Sequence, residues 1–534
     1  MQGLTPKTNT QIAIIGTGFS GLGMAIQLKK AGIHDFVVLE KNTDVGGTWW
    51  ENHYPGCACD VQSHLYSFSF EPNPKWSRMF SPQKEIQAYL RHSAEKHELL
   101  AHVRFNTIVI GATFDESSGQ WQLRTTDAHA LKDYMQQRDI KPGDALNLQD
   151  PALPPTQTLK AQVVVSGMGG LSTPSYPKLK GLETFEGLSF HSQDWNHDYD
   201  LGGKRVAVLG TGASSIQFVP QIQPKVAKLD LYQRTPPWIV PKPDRAISAF
   251  EHWLFKWLPF TQKLFRGALY TQLEARALAF VVNPKLMKLL QYVALGHLRK
   301  QIRNPELRKK VTPNYVMGCK RVLISDDYYP ALAQSNVDVI TNGIREVRAR
   351  SVVTDDGVER PVDAIIFGTG FRATDPLPRG VIYGRNGQDI LDAWKEGPEA
   401  FRGTTVSGFP NLFLLMGPNT GLGHNSMVYM IESQIAYVMG ALRTLREKSL
   451  KFVDVKPAAQ ASYNRKLQEH AKEAIWSVGG CRSWYLLPNG KNVTLWPGFT
   501  WQFRRSTRRF DAAAYELHPE VAVATAQDLA QEAA

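Results

Sequence analysis

Two short apolar runs, Ile12 to Ile15 and Val206 to Leu209, each end at a glycine turn and give way to apolar residues at helical spacing. Continuous apolar runs bounded by turn residues read as strands buried on both faces, the pattern of a parallel sheet. The first run leads into Gly16-x-Gly18-x-x-Gly21, a helix from about Ser20, and a second strand, FVVLE, that ends at Glu40. The unit recurs as Val206 to Leu209, Gly210-x-Gly212 with Ser215 in the place of a third glycine, a helix, and the strand KLDLYQ. A duplicated strand-turn-helix-strand unit predicts an α/β fold with two Rossmann-like dinucleotide-binding domains.

Glycine belongs in such turns because the backbone must bend sharply, approach a pyrophosphate and let helix pack on strand, while the helix start offers free N–H groups to phosphate. Glu40 at the end of the second strand can hydrogen-bond an unphosphorylated ribose. From Gly16 to Glu40 is 24 residues, and the same offset from Gly210 lands on Arg234. A cation there attracts a 2′-phosphate, and the neighbouring Thr235 adds a hydroxyl, which marks the second site for NADP. Two dinucleotides in one chain imply electron transfer between them, with FAD in the first site as the acceptor of hydride.

Between the second unit and its continuation lies an apolar, basic stretch. The chain of 534 residues carries a net charge of +12, and residues 251–310 hold twelve Lys/Arg against Glu251, Glu274 and Glu306, a local balance of +9. The same segment is rich in Phe, Leu and Trp and reads as amphipathic helices. Three readings stand: a helical cap with a solvated basic face, a membrane-surface patch giving weak peripheral contact, and a nucleic-acid surface. No ordered set of stacking aromatics accompanies the charge, so no nucleic-acid partner is expected. No run of 18 apolar residues suggests a bilayer span.

Cys57, Cys59, Cys319 and Cys481 are too few and too scattered for a secreted disulfide framework, and a reducing cytoplasm is expected. Cys57-x-Cys59 lacks the spacing of a flavoprotein redox pair, and no further ligands complete a metal site, so the expected metal count is none. Residues 127–159 read as a surface excursion within a β-hairpin, with room for a short helix. The last 20 residues, from Tyr515, are Ala-rich and expected to pack loosely.

The stretch after Glu40 is more specific. Gly46-Gly47-Thr48-Trp49, Tyr54-Pro55-Gly56 and Asp60 resemble the G-G-x-W-x4-[FY]-P-G-x3-D motif of type I Baeyer-Villiger monooxygenases. FEGLSFHSQDWN resembles the fingerprint of that family through Phe185, Gly187, His191 and Trp195, with Asn196 departing from the usual Pro or Asp. The resemblance covers most of residues 10–420. It implies an NADPH-dependent enzyme that inserts one oxygen atom of O2 beside the carbonyl of an apolar ketone, by way of a C4a-peroxyflavin, to give an ester or lactone. Within MGCKRVLISDD it implies that Lys320 joins Arg234 on the 2′-phosphate, that Arg321 is catalytic, and that Asp60 holds Arg321. Gly47, Thr48 and Trp49 are implied to bind cofactor, and His191 to be a joint between the two domains. Alternatives are a heteroatom-oxidising flavin monooxygenase, an NADPH oxidase and a non-enzymatic redox sensor.

The implied organisation is an FAD domain from 1–171 and 379–534, an NADP domain from 172–240 and 316–378, and a helical insertion over 241–315. The oligomeric state is not legible.

Overall fold

The computed structural model describes residues 7–372, 379–481 and 483–520. Asn9–Ile15 pairs in parallel with Phe36–Leu39 on one side and Thr156–Ser166 on the other, and Ile12, Ala13 and Ile14 are wholly buried. That burial on both faces is what the unbroken apolar run required. Thr107–Asp115, Gln120–Asp127 and Thr156–Ser166 extend this sheet as an antiparallel meander. The late segments Ile382–Tyr383 and Leu412–Leu414 return to it as parallel strands.

A second, wholly parallel sheet runs in the order Val337–Ile340, Lys228–Tyr232, Arg205–Leu209, Ala364–Phe367, Leu188–His191. The helix Phe19–Lys30 follows the first glycine turn and Ser215–Ile222 follows the second. The two sheets are therefore two dinucleotide folds in one chain. Between the halves of the second sheet stand the helices Ala249–Trp257, Pro259–Ala275, Met287–Gln301 and Pro305–Val311. Ser248 starts this insertion with a capping box: its side chain accepts from the Glu251 N–H, while Glu251 accepts from the Ser248 N–H. Among the described residues no single helix is long and apolar enough to cross a membrane.

The excursion in the meander holds a helix, Ala128–Gln137, capped by Asp127 and buried through Leu131 and Tyr134 beside Ile110. Two expectations are corrected. The chain from Tyr515 does not pack loosely throughout, because Tyr515–Pro519 pairs antiparallel with Leu450–Val455 and Tyr515 is buried. Its partner strand lies far back in the sequence, so local composition carried no sign of it; residues 521–534 lie outside the described part. The cysteines are not all reduced either: Cys319 and Cys481 form a disulfide, while Cys57 and Cys59 are free and buried.

Candidate active site

The first cradle is built by backbone crowding. Gly16 has φ +92°, and a Cβ on Gly21 would lie 1.9 Å from the Gly16 carbonyl oxygen. Gly47, at φ +52°, closes the other side, where a Cβ would stand 2.9 Å from Gly18 Cα. Side chains at these places would force the turn, the helix and the Gly47 loop apart. The helix Phe19–Lys30 begins without a side-chain cap, so its first N–H groups are left for a ligand. The short helix Thr48–Glu51 starts right after Gly47, and its Trp49 is buried with the indole N–H donating to the Tyr66 hydroxyl at 3.2 Å.

Glu40 lies at the expected strand end and is buried. Its Oε2 accepts from the Thr17 N–H at 2.8 Å and hydroxyl at 2.6 Å, and its Oε1 accepts from the Asn42 N–H at 2.8 Å and Nδ2 at 2.7 Å. The carboxylate therefore locks the glycine turn, with both oxygens already accepting from protein donors. Sequence spacing placed Glu40 correctly but gave no sign of Thr17 as its partner.

In the second cradle Gly210 has φ +104°, and a Cβ there would meet the Gly368 carbonyl oxygen at 2.4 Å. Ser215 is tolerated in the third position because Gly368 faces it: a Cβ on Gly368 would lie 2.0 Å from the Ser215 hydroxyl. Arg234 is exposed two residues past Lys228–Tyr232, and the backbone oxygen of Thr235 accepts from the Thr211 hydroxyl at 3.2 Å. Lys320 rests over the Tyr315 ring at 5.0 Å. Burial and the nearby Arg234 charge hold its ammonium below the usual lysine range. Lys320 and Arg234 thus lie near enough for their charges to repel.

Arg321, the next residue, donates from Nη2 to Asp60 Oδ2 and so ties the second dinucleotide fold to the loop after the first. The pair is partly solvated, with side chains 42% and 26% exposed. The Asp60 carboxylate raises the Arg321 guanidinium further above its usual value, with Tyr485 and Cys59 adding to it, so Arg321 is a fixed cation. Burial pushes the Cys57 thiol up to about 12 and the Cys59 thiol higher still, so neither is a thiolate nucleophile near neutral pH. Among the described residues no three His, Cys, Asp or Glu side chains are arranged for a metal. Tyr485 carried no signal in the sequence.

His191, wholly buried, ends the edge strand Leu188–His191. Its Nε2 bonds the Gly370 carbonyl oxygen at 3.0 Å, and its Nδ1 accepts from the Gln193 N–H at 3.1 Å. Burial lowers it to about 4, so the ring is neutral and the proton sits on Nε2. Gln193 Nε2 in turn donates to Glu51 Oε2 at 2.8 Å and to the Ser172 carbonyl oxygen at 3.2 Å. Trp195 packs against Phe190 at 5.3 Å and Phe218 at 5.2 Å, and Phe218 meets Tyr54 at 6.0 Å. Gln217 completes the seam, accepting from the Tyr54 hydroxyl at 3.0 Å and donating to the Ala58 carbonyl oxygen at 3.0 Å. Gln193 and Gln217 were not singled out by sequence, although Gln193 lies inside the fingerprint.

Residues 14–82 match the model of an NAD(P)-binding Rossmann-like domain and residues 156–382 that of the flavin-binding monooxygenase-like family. A Baeyer-Villiger monooxygenase of Pseudomonas aeruginosa is 57% identical, over 98% of this chain and 94% of its own. The chain belongs to the Baeyer-Villiger monooxygenase family. A second relative of that name, from Streptomyces coelicolor, is 47% identical over 95% of this chain and 93% of its own. The fold matches the crystal structure of cyclohexanone monooxygenase from Rhodococcus sp. Phi1 bound to NADP+, with a TM-score of 0.81 and 26% identity, over 96% of this chain and all of that one. As a member of the family, the chain is an NADPH-dependent flavoprotein monooxygenase with FAD and NADP as its cofactors.

Proposed function

We propose that FAD occupies the cradle of Gly16, Gly18, Gly21 and Gly47, that NADP occupies the cradle of Gly210, Gly212 and Ser215, and that an apolar ketone is the substrate. Both cradles fit these groups by the same criterion: each is a turn whose backbone packs too closely to admit a Cβ, at the start of a helix whose first turn lacks a side-chain cap. Bound FAD, reduced by NADPH, supplies the activation of O2 that the side chains cannot. Arg234 and Lys320 clamp the 2′-phosphate, with Thr235 beside them, and Glu40 holds the adenosine ribose of FAD. Thr48 and Trp49 line the flavin side of the first cradle.

Arg321 stabilises negative charge as it develops on the substrate oxygen. A guanidinium fixed in advance loses little to reorganisation, and one such donor is worth on the order of 3 kcal/mol in the transition state. Asp60 keeps the guanidinium in place, and the neutral His191, with Trp195, holds the two folds in register so that the cation stays where both cofactors meet. The observation that carries this reading is the Arg321–Asp60 ion pair joining the two dinucleotide folds. The test is incubation of the yellow protein with NADPH, 18O2 and a panel of cyclic and long-chain ketones. Esters or lactones carrying one 18O atom are expected; NADPH consumption with hydrogen peroxide as the sole product across the panel would refute it.

A further inference from the structure

The helical insertion presents an outward face that no other part of the described residues covers. Where Pro259–Val282 passes into Pro284–Gln301 the path bends by 115°. Around this bend Leu278, Val282, Leu286, Leu289, Tyr292 and Val293 are all exposed, Leu289 at 73% and Tyr292 at 74%. Leu289, Tyr292, Val293 and Gly296 share one stripe of the helix by their spacing of three and four residues, and no neighbour approaches the open side of Gly296. Large apolar side chains clustered in this way on a water-facing bend cost solvation free energy unless something covers them.

The charges beside them limit what could cover this face. Lys285 and Lys288 stand exposed within the bend, and Arg299 and Lys300 at the far end of the same helix. Between Glu251 and Glu306 the sole acid is Glu274. It is buried and spent on Asn425 Nδ2 at 2.6 Å and the Thr500 N–H at 2.6 Å, so it does not offset the surface cations. Glu251 itself is engaged by Arg245 at 2.7 Å. An apolar bend flanked by Lys285 and Lys288 complements a surface that is apolar inside and anionic outside, and the exposed Asp326, 3.9 Å from His297, stands at the far end of the helix away from the bend.

We propose that this bend docks on an anionic lipid bilayer, with the Leu286, Leu289 and Tyr292 side chains entering the headgroup boundary and Lys285 and Lys288 meeting lipid phosphates. The helices lie in the surface and do not cross it. The inference is independent of the reaction assigned above, because it concerns a face that neither cradle uses.

The test is sedimentation of the flavin-loaded full chain with vesicles of phosphatidylcholine alone or with about 30 mol% phosphatidylglycerol. Binding to the anionic vesicles at low salt, at least about tenfold weaker for neutral vesicles and released at about 0.5 M salt, is expected. Lys285→Gln and Lys288→Gln should each weaken binding about fivefold, since a basic residue near such a surface contributes about 1 kcal/mol. Leu289→Asp with Tyr292→Asp should abolish it while the protein stays yellow and consumes NADPH at the wild-type rate, which shows that it remains folded. No sedimentation at low salt, equal binding to neutral vesicles, or undiminished binding by the double variant would overturn the proposal. So would sedimentation-velocity data showing a dimer that the double variant dissociates, because the face then belongs to a second copy of the chain.

Discussion

Replacing Arg234 by alanine removes one of the two cations that converge beside the second cradle. The Lys320 ammonium sits below its usual range because burial and the Arg234 charge both oppose it. A doubly charged 2′-phosphate placed between them turns that repulsion into attraction, and NADH has no such group. A hydrogen bond to a charged group is worth about 1.5–3 kcal/mol, and the exposure of Arg234 places it at the lower end, about 1.5 kcal/mol or roughly tenfold in affinity. The assay is anaerobic stopped-flow reduction of the bound flavin, with Kd taken from the dependence of rate on nucleotide concentration. NADPH should bind roughly tenfold more weakly to Arg234→Ala, and NADH should change by less than about twofold. Lys320→Ala should behave alike, and the double variant should lose less than the sum, because the two cations repel when no phosphate is present. Equal losses for both nucleotides would refute the assignment of Arg234 to the 2′-phosphate.

Three further outcomes are expected. The His191 imidazole, lowered by burial to about 4 from an ordinary 6.5, favours the fold above about pH 6.5 and withdraws that support as pH falls toward 4, by at most about 3 kcal/mol. Thermal unfolding followed by flavin fluorescence should therefore decline less steeply with acid in His191→Gln; a parallel decline would contradict it. Trp195→Ala empties a buried site at the seam and should cost about 3–5 kcal/mol and lower the yield of ester per NADPH, with Trp195→Phe recovering most of both; a wild-type yield in Trp195→Ala would remove it from the joint. Alkylation of the unfolded chain without reductant should label Cys57 and Cys59 alone, and with reductant all four cysteines, while labelling of all four without reductant would exclude the Cys319–Cys481 bridge.

Much of the site could be read from the chain because glycine turns are local backbone requirements. Gly16, Gly21 and Gly210 are dictated by atoms a few residues away or on the adjacent strand, and the equal offsets to Glu40 and Arg234 follow from the same strand-turn-helix-strand path. What stayed hidden depends on partners brought together only by folding. Ser215 departs from the glycine pattern because Gly368, just past the strand Ala364–Phe367, leaves room for the serine hydroxyl. The strand at Tyr515 needed Leu450–Val455 beside it, and Cys481 needed Cys319. Gln193 and Gln217, which stitch the two folds together, are polar residues on helical turns with no pattern of their own.

The claim on which the rest turns is that a guanidinium anchored by Asp60 decides whether oxygen reaches the ketone. Arg321→Ala is the direct measurement, with NADPH consumed, ester formed and hydrogen peroxide released all counted in the same reaction. The account predicts that flavin reduction by NADPH persists, that ester formation falls by about a hundredfold, and that peroxide rises to nearly one per NADPH. Ester formation at the wild-type ratio to NADPH would contradict it.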